Sequence, residues 1–420
     1  MKGRVLSIGF GTSVAMWGIG YLARLPVVLA PPAVVLGLIL AAQLAGGFVA
    51  GRFGPRGARD GAAAGALTGL LNMLVLGSFL SAPGAAAWVP GSIALSIALG
   101  AAGASLGARG RDPRREEPDW NAVLARVAVA ATFLLLVAGG LVTSNQAGLA
   151  VADWPRSYGY NMFLYPFARM TGGIYYEHAH RLLGALVGLA TLALAVHLTL
   201  VESRAWVKRM GYAAVVLVIA QGVLGGLRVT EKNLALAVIH GVTAQVFFSL
   251  LVAIAVVCSR AWRADRSALE APTIAADRRL ADLAIGALLL QIVFGALQRH
   301  LSMVLMLHIA FAFVAGGIAV AAGTRAWGRH PDDRALGRAG LAVAHLTGLQ
   351  LALGFLAWIA RGAATNGAMS PEWKIVLTTM HQGTGALLFA SAVRLRVWLG
   401  PARRQSAPEG FARAGQPRSA

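Results

Sequence analysis

The chain has 420 residues, a mean hydropathy of +0.66, 57% hydrophobic residues and only 13% charged ones. Soluble domains carry about 25% charged residues, so the composition excludes a water-soluble globular enzyme. The net charge of +20 invites a nucleic-acid reading, but the positions of the charges exclude that too.

Runs of mostly apolar residues long enough to cross a bilayer recur along nearly the whole chain. They are expected to be helices, because in lipid every backbone polar group must be bonded internally. The alternation of an outer-membrane barrel is missing. The expected spans are 5–23, 31–51, 61–81, 90–108, 122–142, 174–200, 208–227, 234–257, 280–298, 302–324, 338–358 and 373–393, about twelve in all. Lys and Arg crowd into alternate gaps: one set of gaps and ends holds 28 of the 37, the opposite set holds 8, and Arg181 lies inside a span. This asymmetry places both termini in the cytoplasm. Lys2 and Arg4 before an apolar run resemble a signal peptide, but the first span is expected to stay as an anchor.

Residues 1–108 are rich in Gly, Ala and Leu, contain no His and form about four helices. A charged, Pro-containing cytoplasmic linker follows at 109–121. All nine histidines fall in the next part, about eight helices, read as two halves at 122–260 and 277–398. The polar tail at 399–420 is expected to be disordered. The single cysteine, Cys258, excludes an internal disulfide, a CxxCH haem attachment and a cysteine zinc site. It reads as a small core residue.

The second part repeats itself. Gln221 and Gly225, Gln291 and Gly295, and Gln350 and Gly354 each form Gln-x-x-x-Gly late in an outward-going helix. His240, His308 and His381 follow early in the returning helices. The first hairpin has Gly139 and Gly140, a long loop, then His180. Each histidine is followed four positions later, on the same helix face, by a small residue: Gly184, Ala244, Ala312 or Gly385. That leaves room for something flat and wide beside the imidazole. Two such histidines on facing helices can ligate one haem iron, so four suggest two haem sites, one per half. A lone membrane histidine serves packing, a proton path or an interhelical hydrogen bond equally well; matched depth in four hairpins favours the haem reading. His197, His330 and His345 lack the pattern and read as structural.

Glu177 shares a helix face with His180 and with Arg181, whereas His178 points away. Glu177 is thus suited to proton transfer or to binding a polar intermediate beside the metal site; a plain Glu177–Arg181 structural pair is the alternative. Arg181, Arg228, Arg299 and Arg361 sit at the outer mouth against the charge bias. They suit the propionates of haem, or interfacial anchoring. His300 follows Arg299 at a helix end, off the matched depth. The external loop over 143–173 is unusually long and aromatic, and reads as a cover over the first site.

The segments AGLAVADWPRSYGYNMF, YYEHAHRLLGALVG, GGLRVTEKNLALAVIHGVTAQVFF and MHQGTGALL, in this order, resemble the haem A synthase family over roughly 122–395. The resemblance implies an eight-helix pseudo-symmetric all-α membrane bundle, here preceded by the four extra helices. It implies oxidation of the C8 methyl of haem O to the formyl group of haem A for cytochrome oxidase. Glu177, His180 and His240 would then serve the haem O substrate and haem A product. His308 and His381 would hold a permanent haem B. An electron donor, haem O synthase and cytochrome oxidase assembly factors are the implied partners, with the lipid bilayer and no nucleic acid. The implied location is a bacterial inner membrane. Some members carry a cysteine pair in the first external loop, which this chain lacks.

Two rivals use the same residues. A di-haem b-type electron carrier needs the four histidines but does not explain Glu177 or the covering loop. A transporter with histidines in a proton path predicts interrupted helices and no chromophore.

Overall fold

The structure is a computed structural model that describes residues 2–400 other than 78, 79, 81–83, 113, 115, 264–270, 332, 366 and 368. Most of the tail expected to be disordered therefore lies outside the described residues. Helices form at all twelve expected places: α1 (Lys2–Ala23), α2 (Pro32–Phe53), α3 (Ala58–Leu76), α4 (Ala85–Arg109), α5 (Trp120–Ser144), α6 (Gly172–Val201), α7 (Ala205–Thr230) and α8 (Leu234–Val257). After a short α9 (Arg260–Arg263) come α10 (Ala271–Leu301), α11 (Leu305–Arg329), α12 (Arg334–Thr365) and α13 (Pro371–Trp398). Most outrun the expected spans, because a helix does not stop where the hydrocarbon does.

The protein is a multi-pass membrane protein, but the expected number of spans needs correction. Among the described residues ten helices are long and apolar enough to cross a membrane; α3 and α13 are not. Helix α3 opens on Arg59 and Asp60, and α13 carries Glu372, Lys374, Gln382, Arg394 and Arg396. Both are packed among other helices, α3 against α1, α2 and α4, and α13 against α5, α8, α10 and α12. A helix walled by protein does not need a lipid-compatible surface all round.

The internal repeat has a structural counterpart. Exchanging α5–α8 for α10–α13 maps each principal helix contact onto another. The α5·α6, α6·α7 and α7·α8 contacts match α10·α11, α11·α12 and α12·α13. The cross-contacts α5·α8 and α5·α13 match α10·α13 and α8·α10, and α8·α13 maps onto itself. The eight helices therefore form a pseudo-twofold bundle with α5, α8, α10 and α13 at its centre. Phe248, Leu251, Ile254 and Cys258 of the α8 region are buried there, as expected for Cys258.

The first four helices pack through small residues, which let backbones approach closely in a membrane. A β-carbon on Gly47 would collide with the carbonyl of Gly100, one on Gly51 with that of Ala104, and one on Gly107 with that of Phe48. Helix α1 then docks this group onto α5 and α6. At the linker end, Arg4 bonds to Asp60 (3.0 Å) and Glu117 (2.6 Å). At the same end of the bundle Glu202 pairs with Arg204 at 2.7 Å, and the guanidinium lies against Trp206 and Trp262. Hydrogen bonding to Arg204 pulls the Glu202 carboxyl down to about 2.

The three histidines read as structural have structural partners. His197 meets Asn121 Oδ1 at 2.8 Å, His330 meets Asp277 Oδ2 at 2.7 Å, and His345 bonds to the Leu341 carbonyl at 2.8 Å.

Substituting Gly51 by Val is expected to overpack the α2–α4 contact and lower stability by roughly 1–3 kcal/mol. Thermal unfolding in detergent checks this, with Gly37→Val, where a β-carbon meets nothing within 4 Å, as the neutral comparison.

Candidate haem-binding site

Each of the four repeated hairpins brings a glycine of the outgoing helix against the histidine of the returning one. A β-carbon on Gly139 would stand 3.1 Å from Cε1 of His180, and one on Gly225 would stand 3.3 Å from that of His240. The matching distances are 3.1 Å for Gly295 and His308 and 3.0 Å for Gly354 and His381. A larger side chain at any of these positions would push the imidazole aside. All four histidines are half-buried.

The glutamines of Gln-x-x-x-Gly complete the motif, a role the spacing alone did not reveal. Four residues apart, Gln and Gly share a helix face. With its amide oriented to accept from the Thr243 hydroxyl, Gln221 places its nitrogen 3.1 Å from Nδ1 of His240. The amide nitrogen of Gln291 lies 3.0 Å from Nδ1 of His308 and donates to that residue's carbonyl at 2.9 Å. Gln350 meets His381 at 3.4 Å through Nε2, leaving a buried Nδ1 without a partner. The first hairpin departs: Leu135 takes the glutamine's place, and His180 has a buried Nδ1 with no directed hydrogen bond.

These residues fit a haem held by two histidines. Two imidazoles on opposite sides of one iron, at metal–nitrogen distances of about 2 Å, have ring centroids roughly 6 Å apart. The rings of His308 and His381 are 6.4 Å apart and nearly perpendicular, at 89°. His180 and His240 lie within electrostatic range of each other. Beside His180, a β-carbon on Gly184 or Gly188 would meet nothing within 4 Å. The glutamine contacts at Nδ1 order two of the four imidazoles, those of His240 and His308.

Glu177 is 4% exposed, and both its oxygens are engaged. Oε1 accepts from Arg181 at 2.8 Å and Oε2 from the backbone amide of Val151 at 2.8 Å. Arg181 donates further to the carbonyls of Val151 (2.8 Å), Asp153 (2.7 Å) and Arg156 (2.9 Å). Its guanidinium is therefore turned to the long loop between α5 and α6, and the structural pair weighed for Glu177 is present. His178 points away from the glycine-facing side, bonding to Ser157 Oγ at 3.1 Å, with the Tyr165 ring tilted against it at 4.9 Å.

The loop between α5 and α6 carries a two-stranded hairpin, β1 (Arg156–Ser157) and β2 (Tyr160–Asn161), paired Arg156 to Asn161 and Ser157 to Tyr160. Its turn residues Tyr158 and Gly159 both have positive φ, as a tight hairpin demands. The Asp153 carboxylate accepts from both turn amides, at 2.7 and 2.8 Å. Partial burial opposes its charge, but the amides of Gly159 and Tyr158 outweigh it and hold the carboxyl below its usual range. The loop also reaches α7, where Trp154 lies against Gly226 and Gly148 against the Arg228 guanidinium.

The remaining arginines sit at the same end of the bundle. Arg228 is within electrostatic range of Glu177, His240 and His300. Arg299 donates to Ser144 Oγ at 2.7 Å, and Ser144 in turn bonds to Thr378 and Thr379 of α13. Arg361 lies within range of Arg299. Arg228 and Arg299 thus face the two histidine pairs from the loop end. Among the described residues no group of three or more His, Cys, Asp or Glu forms a metal-ion cluster.

Replacing Arg181 by Gln should leave Glu177 buried without its cation, a cost of about 3–5 kcal/mol. The expected readout is new cleavage within residues 145–171 under limited proteolysis, with the helical far-UV signal retained.

Residues 122–307 match the family model COX15-CtaA, the cytochrome oxidase assembly proteins. No curated protein and no solved structure matches the chain. The matched stretch contains Glu177, His180 and His240 and ends one residue before His308.

Proposed function

Through residues 122–307 the chain belongs to the COX15-CtaA family of cytochrome oxidase assembly proteins, and on that premise we propose that it is a haem A synthase. In this reading His180 and His240 would hold the substrate, haem O, whose C8 methyl loses four electrons in two steps, through an alcohol, to become a formyl group, with an external oxidant accepting them. His308 and His381 hold a resident haem B, which supplies electron transfer. The observation that carries the reading is the glycine set against a histidine in all four hairpins. It extends the site pattern to His308 and His381, which lie beyond the family match.

The chain's own residues do the rest. Gln221 and Gln291 orient the imidazoles of His240 and His308. Glu177, beside His180, holds or moves a proton for the oxidised carbon, and it can do so only if one of its present partners lets go. Arg228, Arg299 and Arg361 answer the carboxylates of bound haem. The loop between α5 and α6 excludes water from the first site. We further propose a bacterial inner membrane location with both termini cytoplasmic, a haem O-supplying enzyme and an electron donor as partners, and delivery of haem A to cytochrome oxidase assembly.

The commitment of both Glu177 oxygens favours a second reading, a di-haem electron carrier in which this carboxylate only ties down the loop. The two readings part on haem chemistry. Protein made with a haem O supply should yield haem A or its C8 alcohol on extraction and mass spectrometry. His240→Ala should abolish that product, and Glu177→Ala should cut it by about 10²–10⁴-fold, the scale of a lost general acid–base group, while haem B is retained. Haem B alone, unchanged by the haem O supply, would identify the carrier.

A further inference from the structure

The N-terminal four helices carry no histidine and lie outside the family match, yet they touch the long loop. One buried cluster joins Trp17 and Tyr21 of α1 and Leu71 of α3 to Tyr165 and Met170 of the loop and Tyr175 of α6. The rings of Tyr21 and Tyr175 stack at 5.8 Å and 4°, and the Tyr175 hydroxyl donates to the Tyr21 carbonyl at 2.7 Å. At the end of α3, a β-carbon on Gly77 would stand 2.6 Å from the carbonyl oxygen of Phe163 in the loop. The loop is therefore held on two sides. Helices α1 and α3 press on one flank, and on the other the Val151 amide and carbonyl bind Glu177 and Arg181.

We propose that the N-terminal domain is the abutment on which this loop closes, making Tyr21 and Gly77 positioning residues for Glu177. The inference rests on the haem A synthase reading only for the chemistry that Glu177 serves. The mechanical part stands on these contacts alone. An unsupported loop can open, and opening removes the Val151 amide from Glu177 and three backbone carbonyls from Arg181. The carboxylate beside His180 then loses its fixed direction. The side chain of Tyr21 acts through its ring, since its buried hydroxyl has no hydrogen-bond partner.

The full-length protein offers a direct test. Cys258→Ala removes the only cysteine, and Val151→Cys puts a single thiol within the loop, where the native side chain is completely buried. A membrane-impermeant maleimide then reports loop opening. Tyr21→Ala and Gly77→Val should label about tenfold faster than the parent, the effect of weakening a local closed state by one tenfold step in its equilibrium. Tyr21→Phe, which keeps the ring, should label at the parent rate. Should either disruptive variant fail to accumulate, Tyr175→Phe removes one hydroxyl only and should label faster as well. Parent-like labelling in the disruptive variants overturns the inference.

Haem O conversion, followed without the Val151 substitution, should fall in Tyr21→Ala and return in Tyr21→Phe. If the thiol responds but the unsubstituted protein converts no haem O, the functional reading fails and the abutment stands. Conversion with an unresponsive thiol refutes the abutment alone.

Discussion

An imidazole can hold a wide, flat ligand inside a helical bundle only if the helix behind it gives way. Here that clearance comes from one glycine per hairpin, placed 3.0–3.3 Å from the ring as measured from the β-carbon it lacks. The same contact fixes much else. It sets the depth of each histidine and the register of the two helices in each hairpin, and a glutamine one turn earlier can then reach the ring. Both halves share it, and the halves pack about a pseudo-twofold axis, with α8 and α13 meeting across it. The pair best defined by distance, His308 and His381, has the separation that one bridging iron requires.

The two halves are not equivalent where the chemistry would differ. The first has the long loop, the buried Glu177–Arg181 pair and a leucine in place of the glutamine behind His180. Burying that ion pair is costly unless its remaining bonding capacity is met. The structure meets it with the loop backbone: three carbonyls on Arg181 and one amide on Glu177. The loop thus serves the charge pair and the charge pair holds the loop. Among the described residues the second half has only short connections between its helices.

Much of this was legible in the sequence. Apolar runs located every long helix, because lipid leaves the backbone no alternative. The recurrence of Gln-x-x-x-Gly followed by His marked the hairpins. What escaped was long-range. Nothing local to Arg181 says that it will fold back onto carbonyls 25 to 30 residues earlier. The packing of α1 and α3 on the loop depends on Tyr21, Gly77 and Phe163 meeting across the fold. Among the described residues α3 and α13 fall short of the length and apolarity of a membrane span, since the helices take in charged residues such as Asp60, Lys374 and Arg394. Tertiary packing, not hydropathy, gives these helices their surroundings.

The central claim is that glycine opposite histidine makes each haem place. It is tested most directly by the haem content of purified Gly295→Leu protein. Beside it stands Gly286→Leu on the same helix, where a β-carbon meets nothing within 4 Å. Optical spectra and haem extraction should show that Gly295→Leu loses the low-spin haem held by His308 and His381 and keeps the other site, with Gly286→Leu unchanged. A Gly295→Leu protein with undiminished haem and an unaltered spectrum would contradict the account.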